Sequence, residues 1–295
     1  FASIMTTLVG LVHYYLWRRL IRDTKIPKPW RKLLTVLLIF FAICLPGVMI
    51  LSHSMSPSEI RWLLFAPFVW MGVMLLLFVS TLIADVFKLS VWVADKAGPK
   101  PVNSDRRLFL TRLAAGSAVL TTGSLSGAAV LKGKAFPIVK RVEVKLSLFP
   151  EALNGYRIVL LTDLHIGGTL DSVWLQKVVE RTNELSPNLI VITGDMVDAP
   201  PHMLLHEMQS LSLLNAENGV FFVTGNHEYY AGAEEWIPAI ESLGIRVLRN
   251  EHSIIRKGDS SFALLGVDDF NASRILPDHG SDLNKACKGI PPNTE

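Results

Sequence analysis

Two stretches of this chain carry no charged residue over the length needed to cross a bilayer, and they decide what its amino-terminal half can be. Residues 33–52 read LLTVLLIFFAICLPGVMILS, and residues 62–84 read WLLFAPFVWMGVMLLLFVSTLIA. At 1.5 Å per residue, about twenty helical residues span the roughly 30 Å hydrocarbon layer. Both runs are read as transmembrane helices, because a soluble core seldom needs two such runs so close together. Residues 2–17 form a shorter apolar run that stops at Arg18, Arg19 and Arg22, as a spanning helix does at a basic interface, and are read as a third span. Pro46 is expected to kink its helix. His13 and His53 fall near the ends of these runs and are read as interfacial. Phe1 in place of Met, and the uncapped residues 290–295, lead to the expectation of a fragment at both ends.

Charge divides the chain as sharply as hydropathy does. Residues 1–134 hold 16 Lys and Arg against 5 Asp and Glu, and residues 135–295 hold 13 against 21, so an overall charge of +3 hides a basic half beside an acidic one. Residues 18–32 carry Arg18, Arg19, Arg22, Lys25, Lys28, Arg31 and Lys32 against Asp23 alone, whereas residues 52–61 carry one basic residue. Lys88, Lys96, Lys100, Arg106 and Arg107 make residues 85–111 a second basic loop. The positive-inside rule places both loops in the cytoplasm. Arg106 and Arg107 precede Phe109, Leu110 and a weakly apolar stretch rich in Ala, Gly, Ser and Thr, a pattern similar to a twin-arginine export signal. They serve equally as basic anchors of a fourth span. Either reading puts the residues after 135 outside the cytoplasm, in a multi-pass cell membrane protein with an extracytoplasmic domain. The division expected is a transmembrane helical region of about four spans over 1–135 and an α/β domain over 136–295. Cys44 and Cys287 are too few and too isolated for a disulfide framework or a cysteine zinc site.

In the acidic half the period shortens to strand-like runs alternating with amphipathic segments. Residues 142–148 alternate like a half-exposed strand, while 157–162, 188–193 and 220–224 read as buried strands. Segments 172–185, 203–214 and 234–243 have helical spacing of apolar residues. This order predicts an α/β domain with a parallel sheet.

Three successive strand ends present Asp163 and His165, then Gly194 and Asp195, then Gly225, Asn226, His227 and Glu228. The carboxyl ends of neighbouring parallel strands share one crevice, so residues about 30 positions apart in sequence converge there. Such convergence suits a metal centre. Asp163 and His165 can aim at one ion, Asp195 has two oxygens and can bridge a pair, and Asn226 adds a neutral oxygen. Mixed Asp, His and Asn donors favour Mn, Fe, Zn or Co over Ca. Each block also has a plainer reading. Asp163 could cap a turn, Asn226 and His227 could close a loop, and Asp198, three residues after Asp195, could bond within the crevice or cap a helix. His202 and His206 have helical spacing for a metal, but no HExxH context surrounds them and they are read as part of a solvated helix face. His252 and His279 are assigned to surface or loop positions.

Together the three blocks resemble the calcineurin-like metallophosphoesterase superfamily, and its membrane-anchored bacterial branch in particular, over about residues 142–295. The resemblance implies an αββα sandwich, incomplete here at its carboxyl end, because the family's later His and its Gly-His-x-His motif do not follow Gly266. It implies two divalent metal ions, with Asp163 and His165 on the first, Asp195 bridging and Asn226 on the second. His227 is then the acid that protonates the leaving oxygen, Glu228 an orienting residue, and Gly194 and Gly225 allow close backbone approach. The implied activity is phosphoester hydrolysis, of a monoester or a diester, by a membrane-tethered enzyme acting on an envelope or lipid-linked phosphoester. No nucleic acid partner is expected, and these 295 residues by themselves are expected to be inactive. The rival reading is a non-enzymatic transport or sensor protein whose outer domain keeps only the scaffold.

Overall fold

The computed structural model describes residues 2–51, 57–95, 104–133, 135–146, 150–167, 170–291 and 294; His53 and the last two residues of the strand expected at 142–148 lie outside these. The chain divides into two compact units, one of residues 1–55 and 60–135, the other of 56–59 and 136–295.

The first unit is helical: α1 (Ala2–Leu16), a π-helical turn (Trp17–Arg22), α2 (Lys28–Leu51), α3 (Pro57–Asp95) and α4 (Ser104–Gly133). Within α2, α3 and α4 lie segments long and apolar enough to cross a membrane, and no more than 22% of any of their apolar windows is buried inside the protein. Most of their apolar side chains are left exposed by the fold, a pattern that suits a lipid solvent. The 15-residue α1 is shorter than these, and the helix runs on into the basic π turn. α2 stays helical through Pro46.

Apolar faces give little drive for association in lipid, so small residues and polar contacts carry the packing. Tyr15 donates to Asp85 at 2.8 Å, and the Arg19 guanidinium lies 2.6 Å from the same carboxylate. Trp70 stacks on Phe41 at 4.5 Å and donates to His13 Nε2 at 3.0 Å. His13 is therefore buried between α1 and α3 and held by a partner. On α4 the buried positions are the small residues Ala118 and Thr122, one turn apart.

The second unit is built on four parallel strands in the order β1 (Ile158–Leu161), β2 (Leu189–Ile192), β3 (Val220–Phe222), β4 (Arg246–Val247). Register pairs Leu161 with Ile192 and Ile192 with Phe222, so the first three strands end level. α5 (Ser172–Glu184) starts where Asp171 accepts from the Trp174 N–H at 2.9 Å, and it buries Leu175, Val178, Val179 and Thr182 at helical spacing. α6 (Pro201–Leu204), the 3₁₀ segment Leu205–Leu213, α7 (Asn226–Tyr230) and α8 (Ala233–Ser242) complete the helical layer. Ile190, Ile192 and Phe222 meet Leu175, Val179 and Trp236 in one core. The opposite sheet face packs Leu189 and Phe221 against Ile255 and Phe262 of the antiparallel hairpin β5 (Glu251–Lys257) and β6 (Ser260–Gly266), and α9 (Leu283–Cys287) follows. Each buried aliphatic or aromatic side chain contributes about 1.5–3 kcal/mol of transfer free energy.

Three expectations need correction. Residues 142–146 form no strand; Val142, Val144 and Leu146 alternate but lie exposed without a sheet neighbour. β1 is an edge strand whose Ile158 and Leu160 are exposed, so it is not fully buried. The helix expected over 203–214 is mostly 3₁₀, with α6 confined to its start.

Candidate metal centre

The first three strand ends converge. Asp163, His165 and Asp195 each offer a donor atom within 4.8 Å of the others, and so do His165, Asp198 and His227. His165 belongs to both groups, which makes one continuous cluster of two imidazoles and three carboxylates.

The backbone reaches this arrangement through unusual torsions. Asp163, His165 and Asp195 have φ of 54°, 45° and 53°, in the left-handed region that non-glycine residues seldom occupy. Such torsions cost of order 1–3 kcal/mol each and persist only where surrounding contacts impose them. Here the β1 and β2 loops hold each other, since the His165 N–H donates to the Asp195 carbonyl at 3.0 Å and the Ile166 N–H to that of Met196 at 2.8 Å. Glu228, fully buried, then ties the β2 loop to the β3 loop by accepting from the N–H groups of Asp195 (2.9 Å), Met196 (2.8 Å) and Gly225 (2.8 Å). Burial pushes the Glu228 carboxyl up, against the downward pull of those three donors.

Two glycines make the approach possible. Gly194 has φ +77°, and a Cβ there would lie 2.1 Å from the Gly225 nitrogen; a Cβ on Gly225 would lie 2.3 Å from Asp195 Oδ1. Asn226 follows as the first residue of α7, half-buried, and the His227 N–H donates to Asp195 Oδ1 at 2.9 Å.

Asp198, for which sequence left a capping role open, sits at the centre. Its Oδ1 lies 2.8 Å from the Nδ1 of His165 and 2.8 Å from the Nδ1 of His227. A carboxylate only accepts, so both imidazoles carry a proton on Nδ1 and turn Nε2 away from Asp198. For His165, burial alone would lower the pKa, but the bond to Asp198 and the charges of Asp198, Asp195 and Asp163 raise it overall. The two rings meet edge to face at 4.4 Å, and the exposed Tyr230 ring stands 5.6 Å from that of His227. The signal for Asp198 was its place three residues after Asp195, the second acid of a Gly-Asp-x-x-Asp run. Crowded carboxylates and imidazoles at an open crevice, with glycines where side chains would block it, fit hard or borderline divalent cations. His202 and His206 lie elsewhere and are exposed. His252 is within β5 with Nδ1 2.8 Å from the Ala286 carbonyl, so it is a strand residue and not a loop one, and His279 packs on Tyr229.

A sequence profile of the calcineurin-like phosphoesterases matches residues 156–290, the stretch that holds the whole cluster. This chain carries a calcineurin-like metallophosphoesterase domain. The chain is 28% identical to a transmembrane protein with metallophosphoesterase domain from Danio rerio, over 98% of this chain and 68% of that protein. A protein of the same description from Bos taurus is 34% identical over 71% of this chain and 48% of its own length. An uncharacterized metallophosphoesterase of Campylobacter jejuni is 28% identical over 85% of this chain and 65% of that protein. The chain thus spans between about half and two thirds of these relatives, and they include animal as well as bacterial proteins. No solved structure matches it.

Proposed function

We propose that this chain belongs to a membrane-tethered hydrolase that cleaves phosphoesters with the help of two divalent metal ions. The observation that carries the reading is the convergence of Asp163, His165, Asp195, Asp198 and His227 from three strand ends on one open crevice. Asp163 and His165 would hold one ion, Asp195 would be shared with the second, and Asn226 would serve that second ion. Bound divalent cations supply Lewis acidity and lower the pKa of water toward neutrality.

The protein's own groups supply the rest. Asp198 fixes the His165 ring so that Nε2 faces the crevice as a metal donor. It orients His227 in the same way, so that Nε2–H can pass a proton to the departing alkoxide oxygen. Glu228 holds the β2 and β3 loops at a fixed separation and keeps the Asp195 backbone in its left-handed torsion. Tethering to apolar helices favours a lipid-linked or envelope phosphoester. The basic loops at 18–32 and 85–111 favour a domain outside the cytoplasm.

The test uses the full-length parent in detergent with a chromogenic phosphodiester. Exhaustive chelation should abolish hydrolysis and added manganese should restore it; undiminished turnover after chelation would refute the metal role. Alkaline-phosphatase fusions after residue 200 should be active, and inactive fusions there would reverse the orientation. Lys in place of Arg106 and Arg107 should block export if the pair is a twin-arginine signal, and leave it intact if the pair is an anchor.

A further inference from the structure

Four strands deliver their carboxyl ends to one edge of the sheet, and the metal centre uses only three. β4, about 4.8 Å along from β3, is followed by Arg249 and Asn250. These two residues, with Asp268, Asp278, His279 and Lys285, line a cavity of about 260 Å³. At ~30 Å³ per water that is room for roughly eight waters, or for one ring-sized group. We propose that this cavity holds the hydroxyl-rich part, a hexose or comparable polyol, of the phosphoester whose phosphate lies at the metal centre. The inference rests on the metal reading given above.

The lining selects the ligand class. Arg249 and Lys285 balance Asp268 and Asp278, and every lining side chain is polar. No aliphatic residue lines the cavity to receive an alkyl chain, and a second phosphate would meet the Asp268 and Asp278 carboxylates. Hydroxyl groups both donate and accept, so they can satisfy Asp278 and Lys285 together. Among the described residues these two exposed side chains have no hydrogen-bond or ion-pair partner, so no contact within the fold accounts for their position.

The remaining walls are fixed in advance, which lowers the ordering cost of binding. Asp268 takes two Arg249 N–H groups at 3.0 and 2.8 Å, and its own side chain is 1% exposed. Asn250 donates to the Gly280 carbonyl and accepts from the Asp282 N–H, both at 2.8 Å, clamping the loops on either side. The Tyr229 hydroxyl lies 3.1 Å from His279 Nδ1. Tyr229 and His227 share α7, so the helix that carries the proposed acid also contacts His279 of the cavity lining.

The experiment measures binding to the manganese-loaded full-length protein by calorimetry. Hexose 1-phosphate should bind about tenfold more tightly than methyl phosphate, the size of one or two net hydrogen bonds. The double variant Asp278→Ala, Lys285→Ala should erase that ratio and leave methyl phosphate binding unchanged. A short-chain phospholipid with an inositol head group, compared with its ethanolamine counterpart, tells a lipid source from a soluble one. As a readout that needs no metal, saturating hexose 1-phosphate should protect Lys285 from amine-directed labelling, read by mass spectrometry. Equal affinities for the two phosphates, tighter binding of inorganic diphosphate, or unprotected Lys285 would overturn the cavity. Failure of every phosphate to bind with metal present, with Lys285 still protected by the free hexose at saturation, would count against the metal reading and leave the cavity standing.

Discussion

The two units treat charge in opposite ways. In the helical unit, many apolar side chains face outward and the charged groups inside are paired, as in Arg19 and Tyr15 on Asp85, with Trp70 bonded to His13. In the α/β unit, apolar side chains are inside, yet at one sheet edge three carboxylates and two imidazoles crowd together with strained torsions at Asp163, His165 and Asp195. Matched charges within apolar helices are what packing in lipid requires. Like charges gathered at an open edge oppose folding and call for a ligand to offset them, which is why function is assigned to the second unit and anchoring to the first.

If that contrast is right, substitutions at the sheet edge should cost activity and spare the fold. The largest effect is expected for His227→Ala in the full-length parent. It should keep its metals and lose about 10² to 10⁴ in kcat on esters with alkoxide leaving groups, with a smaller loss for p-nitrophenolate, which needs little protonation. Equal losses for both would indicate that His227 stabilises the phosphoryl oxygens in place of acting as an acid. The core of the same unit should behave in the reverse manner. Trp236 is fully buried and donates to the Ala199 carbonyl at 3.0 Å, so Trp236→Ala should destabilise the unit by about 3–5 kcal/mol in denaturant titration. A shift of much less than that would mean the core collapses around the gap.

Smaller effects sharpen the comparison further. Asp198→Asn keeps the shape but removes the charge that orients two rings, and should cost about 10- to 100-fold in activity or metal affinity with little change in stability. A variant as active as the parent would reduce Asp198 to a spacer. The smallest change is expected in the helical unit. Trp70→Phe keeps the stack on Phe41 and loses only the bond to His13, a loss of about 0.6 kcal/mol in a detergent unfolding assay. A loss of several kcal/mol would show that the pair does more than pack.

Much of this contrast is legible in the sequence, for physical reasons that also explain the gaps. Long uncharged runs and the buried strands β2 and β3 announce themselves through composition, and the strand-end residues follow from where those runs stop. Residues 142–146 mislead because alternation marks a half-buried strand only when a neighbour exists to pair with it. β4 is two residues long, and β5 carries Glu251, Arg256 and Lys257, so neither gives a clear apolar signal. The role of Asp198 depends on two histidines from other strand ends sharing one oxygen, a fact that only the folded chain contains. The Arg249 cavity depends in the same way on loops brought together by Asn250.

The central claim is that the strand-end cluster is a metal centre, and metal content tests it most directly. Elemental analysis of the purified full-length parent after dialysis against manganese should find two equivalents, and Asp195→Asn should retain at most one. A parent without bound metal, or an Asp195→Asn protein with an unchanged content, would contradict the account.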